Sequence, residues 1–158
     1  MVKFWRYKVC FIMATETRFP VRYAETDQMG VVHHSVYPVW FECGRTEHIK
    51  SYGFPYHELE KSGIMLPLVR LGVEYKRPVQ YGDIVIIRTY ITEATKVRLL
   101  ISYDVYVDGD PQLRARGFTE HAWTSSDLKP VNLSKYRPDV YERLIPMFNE
   151  ATGEKTER

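Results

Sequence analysis

Cysteine is almost missing from this chain: two in 158 residues, Cys10 and Cys43. Neither sits in a metal-type pair, and an isolated two carry no disulfide framework, so a reducing, cytoplasmic address is expected. No stretch of about 18 apolar residues is present that would span a membrane, and no membrane insertion is expected. Charge of one sign is lacking too. The 22 basic residues are balanced by 20 acidic ones, and there is no basic run, which excludes the usual profile of a nucleic-acid-binding module. Glycine-rich phosphate loops, a Gly-x-Ser-x-Gly elbow and the His-Glu-x-x-His metal spacing are all absent. No repeat or Pro/Gly/Ser-rich linker divides the chain. Its length fits one domain, large enough to bury roughly 68–70% of the unfolded surface.

The first thirteen residues, MVKFWRYKVCFIM, look like a poor signal peptide. Lys3, Arg6 and Lys8 precede only five apolar residues, short of the roughly 7–15 such a segment needs, and no clean cleavage site follows. Residues 1–13 are therefore read as an extension outside the core, with Met13 as an alternative start. Residues 14–158 are read as a single domain.

Within that domain the hydrophobic period comes first as strand, then helix, then strand again. Residues 18–23 alternate Phe19, Val21 and Tyr23 with Arg18, Pro20 and Arg22. A loop, 24–30, leads to the best helix, 36–52. Ser35 is placed to cap it, Pro38 falls in its first turn, Gly53 suits a left-handed C-terminal position and Pro55 stops it. Val36, Tyr37, Val39, Trp40, Phe41 and Cys43 make much of its circumference apolar, so it is expected to be buried. A short helix, 56–61, ends at Gly63. Strands follow at 65–75, 84–94, 97–107 and 112–125, the third strictly alternating, with Asp108-Gly109-Asp110 as a hairpin turn. A terminal helix is expected at 139–150, kinked or shortened by Pro146. The order predicts an α+β fold: an antiparallel sheet with one long helix on a face.

Most of the chemistry lies in residues 23–34, a loop feeding the helix. A helix start offers unpaired N–H groups and partial positive charge, which polarise a carbonyl and stabilise an oxyanion. A carboxylate beside them, Asp27, would attack that carbonyl or activate a water. Gly30 allows a sharp turn or a close ligand approach. Read by position alone, Asp27 is a turn or capping residue, and Glu25 faces solvent. His33 and His34 are adjacent and do not converge on one metal site with Asp27 and Glu42; no metal and no cofactor are expected.

The run VRYAETDQMGVVHHSVY over 21–37, with Phe41-Glu42 and Arg45-Thr46-Glu47, resembles the 4-hydroxybenzoyl-CoA thioesterase-like hotdog family. It is most similar to the Tol-Pal-associated branch of short-chain acyl-CoA thioesterases. A second motif, VEYKRPVQYGD over 73–83, resembles that family's strand and turn. The resemblance spans about 18–123. It implies a hotdog fold, a curved antiparallel sheet around a central helix, and a homodimer or homotetramer with sites at the dimer interface. It further implies a hydrolase acting on a short-chain or aromatic acyl-CoA. Carried over by residue, the catalytic aspartate falls on Asp27 and the carbonyl-polarising N–H at or near His34, within 32–34, so Val32 belongs to the expected site. His34 orients substrate or water, or is structural. Tyr23, Gly30, Val31, His33 and Glu42 are expected to line the substrate, although Glu42 also reads as a buried carboxylate satisfying nearby donors. Coenzyme A phosphates call for basic residues, for which Arg77, Arg88, Lys96 and Arg98 are candidates. Departures from the family at His33, Val36, Pro38 and Gly44 bear on acyl specificity. Hydrolysis of acyl carrier protein thioesters, a non-catalytic acyl-CoA-binding role and dehydration are the competing readings, and fold alone does not separate them.

Overall fold

Alternating side chains build the sheet. In the computed structural model, which describes residues 13–152, β1 (Thr15–Pro20) leads through a 3-10 turn (Tyr23–Glu25) and a second one (His34–Val36) into α1 (Tyr37–Lys50) and α2 (Tyr56–Lys61). Then come β2 (Ile64–Met65), β3 (Leu68–Tyr75), β4 (Ile84–Ala94), β5 (Arg98–Val107), β6 (Asp110–Ala122) and β7 (Thr124–Ser125). Three short helices close the order: α3 (Leu133–Tyr136), α4 (Pro138–Arg143) and α5 (Ile145–Thr152). Five strands pair in the order β1-β4-β5-β6-β3, every neighbour antiparallel, and β2 pairs with β7. The expected α+β architecture, antiparallel sheet plus long helix, is what forms. The expected extension, apart from Met13, and Cys10 lie outside the described residues.

The core lies between α1 and one face of the sheet. Ile87 and Ile91 of β4, with Leu99, Ile101, Tyr103 and Val105 of β5, are wholly buried, the inward half of a period-2 pattern. From α1 they meet Tyr37, Trp40, Phe41, Gly44 and His48, all buried. Phe41 stacks on Tyr103 with ring centroids 4.4 Å apart. The close approach depends on two glycines. A Cβ at Gly117 would stand 2.4 Å from the Phe41 ring, and one at Gly44 would stand 2.4 Å from Thr89 Oγ1.

Several boundaries differ from expectation. The helix is buried on one face only: Val39, Glu42 and Cys43 are exposed in the single chain, because α1 rests on one sheet rather than between layers. Ser35 does not cap it: α1 follows Val36 with no side-chain cap, and His33 caps the preceding 3-10 turn instead, its Nδ1 accepting from Ser35 N–H at 3.2 Å. Pro38 falls in the first turn, and Gly53 takes φ +76° as anticipated. The first strand begins and ends three residues early, since Glu25 draws the chain after Arg22 into a 3-10 turn. The strand expected over 65–75 breaks between β2 and β3, the one over 112–125 begins at Asp110 and breaks before β7, and the terminal helix divides at Leu144, just before Pro146. Among the described residues no helix is long and apolar enough to cross a membrane.

Candidate active site

Residues 23–34 form a loop tied to the sheet at both ends. Val21 N–H donates to Asp83 carbonyl at 3.0 Å and Val32 N–H to Val79 carbonyl at 2.8 Å. Bridges from Val31 to Gln80 and from Thr26 to Val32 complete the seam. Inside it, Asp27 N–H donates to Val31 carbonyl at 2.8 Å and Gly30 N–H to Asp27 carbonyl at 2.9 Å. Gly30 closes this turn at φ +78°, a conformation costly for other residues.

Asp27 is a turn residue, as its position suggests. Its Oδ1 accepts from Met29 N–H at 2.8 Å, and among the described residues no hydrogen bond uses Oδ2. The turn therefore fixes the carboxylate through one oxygen and leaves the other available. Glu25 corrects the expectation of a solvent-facing side chain: it is buried. Its Oε2 accepts from Arg22 N–H at 2.8 Å, and its Oε1 accepts from the Arg22 guanidinium at 2.9 Å and Trp40 Nε1 at 3.2 Å. Burial pushes its carboxyl up, but those three hydrogen bonds outweigh it and hold the group below its ordinary value.

The backbone donors divide sharply. Val32 N–H is spent on Val79, and His33 N–H on Glu25 carbonyl at 2.8 Å. Among the described residues nothing accepts from His34 N–H, which opens the 3-10 turn ahead of α1. Val32, which is buried, is thereby removed from the set of carbonyl-polarising donors, and the free donor is His34's. The His34 carbonyl is held from the other side, by the Tyr75 hydroxyl at 2.7 Å. Burial raises the Tyr75 pKa, keeping the group a neutral donor. Tyr75 also meets Tyr37 edge-on at 5.0 Å, and burial, with Tyr75 beside it, pushes Tyr37 up to about 12. The His34 ring is exposed and lies 4.0 Å from that of His33.

Tyr23, Asp27, Gly30, Val31, His33 and His34 thus share one loop, and the exposed Tyr23 packs edge-on against Tyr81 at 5.6 Å. Arg77 joins them, exposed between Tyr75 and Val79. The other basic candidates do not. Arg88 lies on the outer sheet face, bonded to Glu16 at 2.8 Å and over the Tyr106 ring. Arg98 bonds Glu120 at 3.1 Å on that same face. Lys96 follows the far end of β4, on the order of 30 Å from the loop at 3.3 Å per residue. Glu42 lies about 12 Å along α1 from His34 at 1.5 Å per residue; it is exposed, which corrects the buried reading. Glu25, Trp40, Tyr75 and Tyr81 were not singled out as site residues, although Tyr75 and Tyr81 stand in the second sequence motif. Among the described residues no three His, Cys, Asp or Glu side chains gather as metal ligands.

A model of the family described as the thioesterase superfamily matches residues 29–113. YneP of Bacillus subtilis, provisionally named an acyl-CoA thioesterase, is 38% identical over 127 residues, 78% of this chain and 91% of that protein. YbgC of Escherichia coli O157:H7, named an acyl-CoA thioester hydrolase, is 32% identical over 87 residues, covering 54% of this chain and 65% of that one. A Staphylococcus aureus structure described as a DHNA-CoA thioesterase superposes with a TM-score of 0.81 at 33% identity, over 91% of this chain and 97% of that one.

Proposed function

The chain belongs to the thioesterase superfamily, and from that premise we propose that it is an enzyme hydrolysing the thioester of a short-chain or aromatic acyl-CoA to the free acid and CoA. The observation that carries this reading is the unspent His34 N–H on the same loop as an Asp27 carboxylate fixed by one oxygen. In this reading the thioester oxygen takes the His34 N–H, where the helix start stabilises the developing oxyanion. Asp27 Oδ2 then attacks the carbonyl carbon, giving a mixed anhydride that water opens, or removes a proton from the attacking water. Arg77 is the basic residue best placed for a CoA phosphate. No cofactor is required, and the site is cytoplasmic in this reading.

The reading includes a homodimer or homotetramer. Among the described residues strand β3 ends the sheet with one edge unpaired, and Leu68, Val69 and Leu71 on it are exposed; such an edge invites a second strand. The narrower position beside the Tol-Pal-associated thioesterases belongs to the same proposal, supported by the YbgC likeness.

Asp27→Asn, assayed by thiol release from a panel of acyl-CoAs, is expected to lower kcat by about 10²-fold or more. Turnover near that of the wild type would remove Asp27 from the chemistry. A single turnover in ¹⁸O-water separates the two routes, since only the anhydride leaves label in the protein.

A further inference from the structure

The peptide groups on either side of His34 are tied, and the His34 N–H is left over between them. The group that carries this donor is held by its other end, since the His33 carbonyl accepts from Val36 N–H at 3.0 Å. The group before it is held at the His33 N–H, which donates to the Glu25 carbonyl at 2.8 Å. The group after it is held at both ends. Ser35 N–H donates to His33 Nδ1 at 3.2 Å, and the His34 carbonyl accepts from the Tyr75 hydroxyl at 2.7 Å. Of these bonds, Tyr75's alone comes from the sheet.

The sequence of the helix start explains why a strand residue is needed here. In an α-helical turn the His34 carbonyl would accept from the N–H of residue 38. Residue 38 is Pro38, in the first turn of α1, and it has no N–H to give. The Tyr75 hydroxyl supplies a donor from the end of β3. Its own place is fixed from two directions. The ring meets that of Tyr37, the buried residue just before Pro38, edge-on at 5.0 Å. The backbone just beyond is pinned to β6, Lys76 N–H and Arg77 N–H donating to the Arg114 carbonyl at 2.8 and 2.9 Å. Tyr75 is 48% exposed, so its hydrogen bond, more than burial of its ring, is what it contributes here.

We infer that Tyr75 is a positioning residue for the His34 donor: its hydroxyl stands in for the N–H that Pro38 lacks and sets the direction in which the His34 N–H points. The inference rests on the thioester-hydrolysis reading above and adds to its machinery a residue from outside the loop. Tyr75 acts through His34, by fixing the backbone that carries the oxyanion donor. A donor displaced by about 1 Å loses much of its effect on the transition state.

Tyr75→Phe removes the hydroxyl and keeps a ring to meet Tyr37. In an acyl-CoA hydrolysis assay it is expected to lose about tenfold or more in kcat, with KM within about twofold of the wild type. That split marks an interaction used only in the transition state. Pro38→Ala returns an N–H at the position that lacks one, so in that background Tyr75→Phe is expected to cost about threefold or less. Full turnover in Tyr75→Phe, a loss carried by KM, or an equal loss in both backgrounds overturns the assignment. A readout without substrate keeps this apart from the hydrolysis reading. Labelling with ¹⁵N-histidine marks five backbone amides, and His34→Gln identifies the His34 signal as the one it removes. Tyr75→Phe is expected to shift that signal, and to shift it less in the Pro38→Ala background. An unmoved signal overturns the positioning role. A shifted signal in a protein whose wild type releases no thiol from any acyl-CoA overturns hydrolysis and leaves Tyr75's control of the donor standing.

Discussion

Glu25 does for the loop what Asp27 does for the turn: it converts a carboxylate into local rigidity. Its oxygens satisfy Arg22 N–H and Trp40 Nε1, both of which would be stranded without it. Glu25→Ala is therefore expected to cost about 2–4 kcal/mol of stability in urea unfolding. Glu25→Gln, which keeps an acceptor, should cost less. The turn at Asp27 and the helix start near His34 are legible in the sequence because both are set locally: Gly30 closes the turn three residues on, and the helix follows. Glu25 was not, because what decides its burial is an indole fifteen residues away. Val32 was misjudged for a related reason. Which N–H of a loop is free depends on a partner strand, here Val79, and no local pattern names it.

Among the elements, α1 carries most of the consequences. At Gly44 the position a methyl group would take is filled by Thr89 Oγ1 of β4. Alanine there would gain about 1 kcal/mol of helix propensity but overpack a tight contact at about 1–3 kcal/mol. Gly44→Ala is expected to be destabilising in the wild-type background and to become stabilising beside Thr89→Ala, a coupling that a double-mutant cycle on denaturation midpoints would read. Helix and strand existence followed from periodicity, and β4 and α2 appear over the residues anticipated. Ends were less legible. β1 stops at Pro20 because Glu25 pulls the chain aside, and the terminal helix divides where Pro146 removes a donor. The helix expected to be buried, with much of its circumference apolar, is buried toward the sheet and exposed at Val39.

Across the whole molecule, α5 closes the fold over α1 and β4 with a buried carboxylate. Glu150 has both oxygens without a hydrogen-bond partner, and burial raises it to about 7. His48, 3.9 Å away, is pushed by burial down to about 4, so near neutrality it is uncharged and does not ion-pair. A carboxyl raised in the folded state contributes stability that is whole below its unfolded pKa of 4.5. That contribution is lost as pH rises through about 7. His48 acts oppositely: its contribution is present above 6.5 and lost as pH falls through about 4. Glu150→Gln is expected to raise Tm at pH 8 by roughly 3–8 °C, about 1–3 kcal/mol, and to do little at pH 4.5. An equal gain at both values would sink the protonation argument. This juxtaposition is not legible in the sequence because His48 and Glu150 lie 102 residues apart in the chain.

The phenol of Tyr75 links two things that are chemically unlike. It belongs to the strand at the open margin of the sheet, and it grips the carbonyl of the residue whose N–H is unspent. Those two groups sit in successive peptide planes hinged at a single Cα. Any event at the margin that shifts Tyr75 must twist one plane against the other, and so re-aim the donor. The candidate site would then register, through one torsional hinge, whether the margin is occupied.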